Sequence, residues 1–240
     1  MSSMQQQQAY GGADNLEVMS EAENYNRYLL DLVRSHARRD GRVLDFGAGS
    51  GQFAVPLAEL GFDVTALEPD DALRGRLRGR VAAVADPDEL TDQSFQCIYT
   101  LNVLEHIPDD VAALRRLRAK LASPGILLIY VPAFRLLYTS MDAKVGHIRR
   151  YTRGSLVAAV RAAGFAVERC AYVDSLGFFA TLLFKVTDNG RGDINRRALR
   201  LYDRAIFPVS RIIDRVTGRW FGKNLLLIAR PDPGGVRMAP

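Results

Sequence analysis

Apolar and polar positions along this chain alternate between two rhythms. Apolar-rich runs of strand length fall at residues 42–45, 62–67, 81–84, 95–100 and 126–131, the last of them nearly continuous. Strands buried on both faces read this way in a sequence. Between these runs the apolar residues recur every three or four positions, the spacing of a helix with one buried face. Residues 17–38 carry Tyr25, Tyr28, Leu29, Leu32 and Val33 on one side, and Asp40-Gly41 ends the pattern. A helix over 52–60 closes at Gly61, and 70–80 reads as a short basic helix or turn. The clearest helix is capped by Asp109. It turns Val111, Leu114, Leu117 and Leu121 inward and Arg115, Arg116, Arg118 and Lys120 mostly outward, until Ser123-Pro124-Gly125 breaks it. A loop over 132–151 leads to a helix over 155–163, and strands follow at 165–172 and 224–230. Strands alternating with helices predict an α/β fold.

The turn after the first strand organises the rest. There Asp45-Phe46-Gly47-Ala48-Gly49-Ser50-Gly51 ends the strand and leads into a helix. Glycine accepts positive φ and lets a ligand lie against the backbone, while the helix start offers unpaired N–H groups. The dinucleotide spacing G-x-G-x-x-G would need a third glycine where this chain has Gln52, which argues against a nucleotide-dependent oxidoreductase. The second strand also ends on a carboxylate, Glu68, followed by Pro69. Glu68 lies 23 residues after Asp45, close to the ~20-residue offset at which an acid accepts both ribose hydroxyls.

The run Asp-x-Gly-x-Gly-x-Gly resembles the first motif of class I S-adenosylmethionine-dependent methyltransferases. Leu101-Asn102-Val103-Leu104-Glu105-His106-Ile107-Pro108 is similar to the fourth-strand signature of the same superfamily. The similarity is greatest to its small-molecule (type 11) branch, which includes the ubiquinone-biosynthesis O-methyltransferases. The resemblance covers roughly residues 40–230. It implies a Rossmann-like, seven-stranded sheet, mostly parallel with the last strand antiparallel, and helices on both faces. It implies S-adenosylmethionine as cofactor and S-adenosylhomocysteine as product. The residues it assigns to cofactor binding are Asp45, Gly47, Ala48, Gly49, Gly51, Glu68, Pro69, Asp86, Asn102 and Val103. Asp86, after the third strand, matches the acid that meets the adenine amino group, and it serves equally as the cap of the next turn.

Methyl transfer needs an aligned acceptor, exclusion of water and often a base. The expected acceptor side lies beyond the fourth and fifth strands. The loop there holds Gly146-His147-Ile148-Arg149-Arg150-Tyr151, a run that also appears in methyltransferases of bacterial surface-sugar and natural-product clusters. His147 can titrate near neutral pH, and Arg149 or Arg150 can hold a carboxylate or phosphate. His147, Arg150 and Tyr151 are therefore the candidate catalytic group; the alternative is a loop tied to the sheet by its own charges. Some members of the superfamily bind metal through Glu-x-x-Glu-His and a later His. Asn102 stands in the first of those positions, so no metal is expected.

Length and charge narrow the reading further. The 240 residues suit one domain over 15–231, with a disordered start at 1–14 and a flexible tail at 232–240. The N-terminus has neither the basic nor the apolar region of a signal peptide, and no run approaches the ~20 apolar residues of a membrane span. Cys97 and Cys170 sit in apolar, strand-like runs, which predicts reduced thiols without a disulfide partner and a cytoplasmic protein. The net charge is +5, and residues 191–219 alone hold eight arginines against three aspartates. The remainder is close to neutral, so broad nucleic-acid binding is not expected; the resemblance to the small-molecule branch implies a small-molecule acceptor. An insertion over about 175–222 carries Leu199, Tyr202, Ile206, Val209, Ile213, Val216 and Trp220 at helical spacing, with Pro208 expected to kink it. It reads as a helical cap or lid. A homodimer face or a peripheral membrane contact through 195–220 are the alternatives.

Overall fold

The computed structural model describes residues 18–234; the expectation for 1–14 and most of that for 232–240 lie outside the described residues. Seven strands form one sheet: β1 (Arg42–Phe46), β2 (Asp63–Leu67), β3 (Ala82–Val84), β4 (Phe95–Leu101), β5 (Leu121–Pro132), β6 (Phe165–Val173) and β7 (Asn224–Pro231). Their order across the sheet is β3-β2-β1-β4-β5-β7-β6. The first five pair in parallel, and β7 runs antiparallel to both β5 and β6. This is the Rossmann-like sheet expected for class I. The topology reverses between β1 and β4, which opens a crevice at their carboxyl ends.

Alternation along each central strand fills two cores. Leu44, Ile98, Leu127 and Leu227 face α4 (Asp110–Lys120) and α6 (Arg153–Ala162). Val43, Cys97, Leu128 and Tyr130 face α1 (Glu23–His36) and α2 (Ala54–Glu59). Cys97 and Cys170 are buried free thiols, pushed up to about 12 and about 11 by burial. The remaining helices are α3 (Asp71–Gly75), α5 (Ser140–Val145), α7 (Ser175–Thr187), α8 (Arg196–Leu201) and α9 (Phe207–Thr217).

Three local expectations are corrected. β5 begins at Leu121, five residues early. Lys120 ends α4 by donating from its ammonium to Leu90 O and to Asp92, and Leu121 pairs with Phe95 instead of closing the helix face. The loop over 132–151 contains α5, opened by a reciprocal cap between Thr139 and Asp142 and closed by Gly146 in the left-handed region. In the insertion, Pro208 lies in the first turn of α9, and the irregularity sits just upstream as a π-helical turn, Tyr202–Ile206. A proline without an N–H cannot close the preceding turn in the ordinary way.

The insertion turns part of its apolar stripe outward and leaves Leu199, Tyr202 and Ile213 half-buried. Within α8, the π turn and α9 the buried residues are Asp203, Phe207 and Ser210, while Val209, Val216 and the following Trp220 are exposed. The inner face is occupied by acceptors. Asp203 takes the main-chain N–H groups of Asn24 and Tyr25 at the start of α1, both at 2.9 Å. Asp214 takes those of Asp174 and Ser175 at the start of α7, at 2.7 and 2.9 Å. Two helix N-termini are thus satisfied by carboxylates from a distant helix.

Candidate functional site

The glycine loop leaves β1 and is held by β2. Gly47 and Ala48 donate to Leu67 O at 2.9 and 3.1 Å, and Gly49 donates to the Glu68 carboxylate at 2.8 Å. The other Glu68 oxygen accepts from Asp70 N at 2.9 Å. The three glycines have positive φ but different surroundings. A Cβ on Gly47 would come 2.5 Å from the Val103 side chain, whereas one on Gly49 would meet nothing within 4 Å. Gly47 therefore packs the loop against the chain, and Gly49 faces the crevice.

Asp45 lies beneath this loop with its Oδ2 buried and without a hydrogen-bond partner. Burial pushes its carboxyl up to about 7, helped by the Glu68 charge. Asn102, first after β4, is held at φ 56 and reaches toward the Tyr25 hydroxyl, 3.5 Å away. A non-glycine residue in this region beside a crevice is stored strain of the sort functional sites carry. Pro69 is exposed at the end of β2. Asp86 is engaged as a cap: it accepts from Asp88 N at 2.8 Å and pairs with Arg116.

A second cluster assembles beyond β4 and β5. Asp142 is fully buried, and its carboxylate meets three groups. Arg150 reaches it with Nε and Nη2 at 2.8 and 2.9 Å, Thr139 N donates at 2.9 Å, and His147 Nδ1 lies at 2.7 Å. These donors hold its carboxyl far below the ordinary range despite burial. An ionised Asp142 accepts, so the proton on His147 sits on Nδ1. Nε2 of His147 lies 3.6 Å from Glu105, which is fully buried. Burial pushes Glu105 up to about 8, and neither of its oxygens has a hydrogen-bond partner. The His106 and His147 rings meet edge to face at 4.7 Å, and His106 Nδ1 lies 3.2 Å from Gly146 O. Burial lowers His106 to about 4. Glu105, His106 and His147 each offer one atom within 4.8 Å of the others.

Of the two residues grouped with His147 by sequence, Arg150 shares Asp142 with it, whereas Tyr151 is anchored elsewhere. Arg150 spends its fork on Asp142 and Ala133 O, and the Tyr151 hydroxyl donates to Asp110 at 2.7 Å. Arg149 pairs with the same Asp110. Four contributors were not singled out from the sequence as site residues: Tyr25, Asp142, Asp174 and Lys223. Asp174 takes a left-handed φ of 63 and accepts from the Tyr202 hydroxyl, and its carbonyl accepts from Lys223 N at 3.0 Å. Burial lowers the Lys223 amine. Only the capping spacing of Thr139 and Asp142 gave a sequence signal for any of them.

Comparison with known proteins places this geometry. A family model described as a methyltransferase domain matches residues 19–169. A ubiquinone biosynthesis O-methyltransferase of Caulobacter sp. (strain K31) is 32% identical over 148 residues, covering 51% of this chain and 58% of that protein. The chain thus spans about half the length of the curated relatives it matches. Among solved structures, the complex of the Haloferax volcanii Trm112 activator with a putative methyltransferase aligns with a TM-score of 0.63 at 15% identity, over 93% of this chain and 94% of that one. The [4+2]-cyclase SpnF aligns with a TM-score of 0.57 at 21% identity, over 86% and 81%. A cyclase and a putative methyltransferase share the fold, so the fold alone does not choose the reaction.

Proposed function

The chain belongs to the class I S-adenosylmethionine-dependent methyltransferases, and on that premise we propose that it methylates an oxygen of a small-molecule acceptor with His147 as proton acceptor. Its residues fit the cofactor. Gly49 leaves the crevice open, Asp45 Oδ2 lacks a partner, and each Glu68 oxygen retains acceptor capacity beyond its one backbone donor. S-adenosylmethionine, when bound, supplies a methyl group already activated by its sulfonium. Asp45 and the Gly47–Gly51 loop hold the amino-acid arm, Glu68 accepts the ribose hydroxyls, and Pro69, Asp86, Asn102 and Val103 border the adenine end.

One observation carries the acceptor side. The His147 side chain, about one-tenth exposed, is fixed by Asp142 on Nδ1, which leaves Nε2 as the basic nitrogen. A hydroxyl brought to Nε2 gives up its proton as its oxygen takes the methyl group. Asp142 steadies the imidazolium so formed, and Arg150 holds Asp142 in place, which makes Arg150 and Asp142 positioning residues. The insertion walls the same end of the sheet through Tyr202 and Asp174. A sugar, lipid-linked or natural-product hydroxyl is the acceptor class this arrangement suits. The test has two stages: calorimetric titration with S-adenosylhomocysteine and with NADH, then mass spectrometry of a hydroxyl-acceptor library after incubation with S-adenosylmethionine. Binding of NADH in place of S-adenosylhomocysteine, or methylation confined to amines, defeats the proposal.

The cluster of Glu105, His106 and His147 favours a second reading. Two imidazoles and an unpartnered carboxylate within 4.8 Å suit a divalent cation such as Zn²⁺. In that case the cation, rather than Nε2, would acidify the acceptor hydroxyl. Metal analysis of the purified protein and turnover after chelation separate the two. Activity that survives chelation supports the proton-acceptor reading.

A further inference from the structure

The helical rod formed by α8, the π turn and α9 is partly inverted: Asp203, Ser210 and Asp214 face the protein beside Phe207, and several large apolar side chains face outward. From this inversion we infer that the rod and α7 form a docking face for an anionic lipid surface. On the inner side Asp203 and Asp214 cap α1 and α7, and Ser210 Oγ accepts from Leu176 N at 2.9 Å. On the outer side Val209, Ile212, Val216 and Trp220 are 47–67% exposed. On α7, Leu183 and Val186 are likewise 67% and 84% exposed. The two helices join through Phe179, whose ring packs edge-on against Phe221, the neighbour of Trp220. Single exposed apolar residues are ordinary; a contiguous set on one face marks an interaction surface.

Charge selects the occupant. Arg204, Arg215 and Arg219 are exposed and pair with no carboxylate among the described residues. Arg215 lies about 60° round the helix from Ile212 at 100° per residue, so a cationic border runs beside the apolar stripe. The three aspartates of the segment offset none of this border. Asp203 and Asp214 face inward, and Asp193 pairs with Lys144. A two-fold dimer through this face would set one arginine border against the other with no acid between them, because both partners present the same patch. An anionic bilayer complements the border and takes the apolar stripe. No helix among the described residues is long and apolar enough to cross a membrane, so the rod lies on the surface.

Trp220 is the single tryptophan of the chain, which makes the contact directly visible. The full chain is mixed with vesicles of phosphatidylcholine alone or with added phosphatidylglycerol, at low and high salt. Trp220 emission and co-sedimentation are read together. A blue shift and pelleting with phosphatidylglycerol vesicles, both weakened by salt, are expected. The double variants I212D/V216D and R215E/R219E should each bind at least about tenfold more weakly. They should retain wild-type melting temperature and S-adenosylhomocysteine affinity, because neither pair faces the protein. Absence of a blue shift with phosphatidylglycerol vesicles at low salt overturns the inference. So does a salt-resistant dimer in light scattering that I212D/V216D dissolves. Should a double variant fail to fold, the single variant R215E read by the same emission shift decides.

Discussion

Asp203 Oδ1 accepts the main-chain N–H of Tyr25 at 2.9 Å, across 178 residues of sequence. Tyr25 in turn reaches Asn102 at the mouth of β4, so the insertion and the crevice are coupled through one helix start. Replacing Asp203 with Ala should cost about 1–2 kcal/mol of stability, the worth of a helix cap. Asp203→Asn, which keeps one acceptor oxygen, should cost less. Thermal melts rank the two. If coupling through Tyr25 is real, S-adenosylhomocysteine affinity falls in the same order.

Glu68 binds the glycine loop as well as facing the crevice. Glu68→Ala should therefore weaken S-adenosylhomocysteine binding by about 1.5–3 kcal/mol and also lower the melting temperature, since Gly49 N and Asp70 N lose their acceptor. Gly49→Val should abolish binding, because its side chain enters the open space of the crevice, and should also lower the melting temperature, because a β-branched residue is strained at φ 56. Calorimetry paired with melts distinguishes these patterns; equal binding by both variants and wild type would sink the loop assignment.

Asp45 links stability to pH in the direction opposite to a salt-bridged acid. Its folded value of about 7 lies above the ordinary 3.8, so the folded protein keeps a proton that the unfolded chain releases. The stabilisation is fully present below about pH 4 and is lost as pH rises to about 7. In ligand-free protein at pH 8, Asp45→Asn should raise the melting temperature by several degrees and flatten its pH dependence, while cofactor affinity drops. A wild-type melting curve that stays level between pH 4 and 7, other acids being accounted for by the Asn variant, would contradict this.

His147→Ala should lower turnover by about 10²–10⁴-fold with cofactor affinity nearly unchanged, the usual contribution of a general base. Arg150→Lys should lower the melting temperature and turnover together, because an ammonium cannot reproduce the two-point hold on Asp142. Full activity of His147→Ala on the true acceptor would reduce the loop to a structural tie.

Much of this was legible in residue spacing. The sheet, the glycine loop and Glu68 follow from local patterns, because strand burial and turn chemistry are written within a few residues of where they act. The roles of Asp174 and Asp203 were not. Each carboxylate acts on groups brought to it by tertiary packing, and a lone aspartate in a loop or helix looks like any solvated one. Periodicity left the insertion open for a related reason: it finds the apolar face of a helix but cannot tell which side the protein covers. Here the covered side holds Phe207 together with acceptors for two helix starts.

Val173 and Asn224, the residues on either side of the insertion, are register partners in the β6–β7 ladder. The fifty residues between them leave and re-enter the sheet at one rung, so the polypeptide there is topologically a hairpin loop grown to helical size. Loop-closure cost rises only slowly with length, and segments of very different extent could be grafted at this rung without altering strand order. Acceptor choice and the place where the molecule works can then diverge by exchanging a cassette, while the glycine loop and the cofactor crevice stay the same.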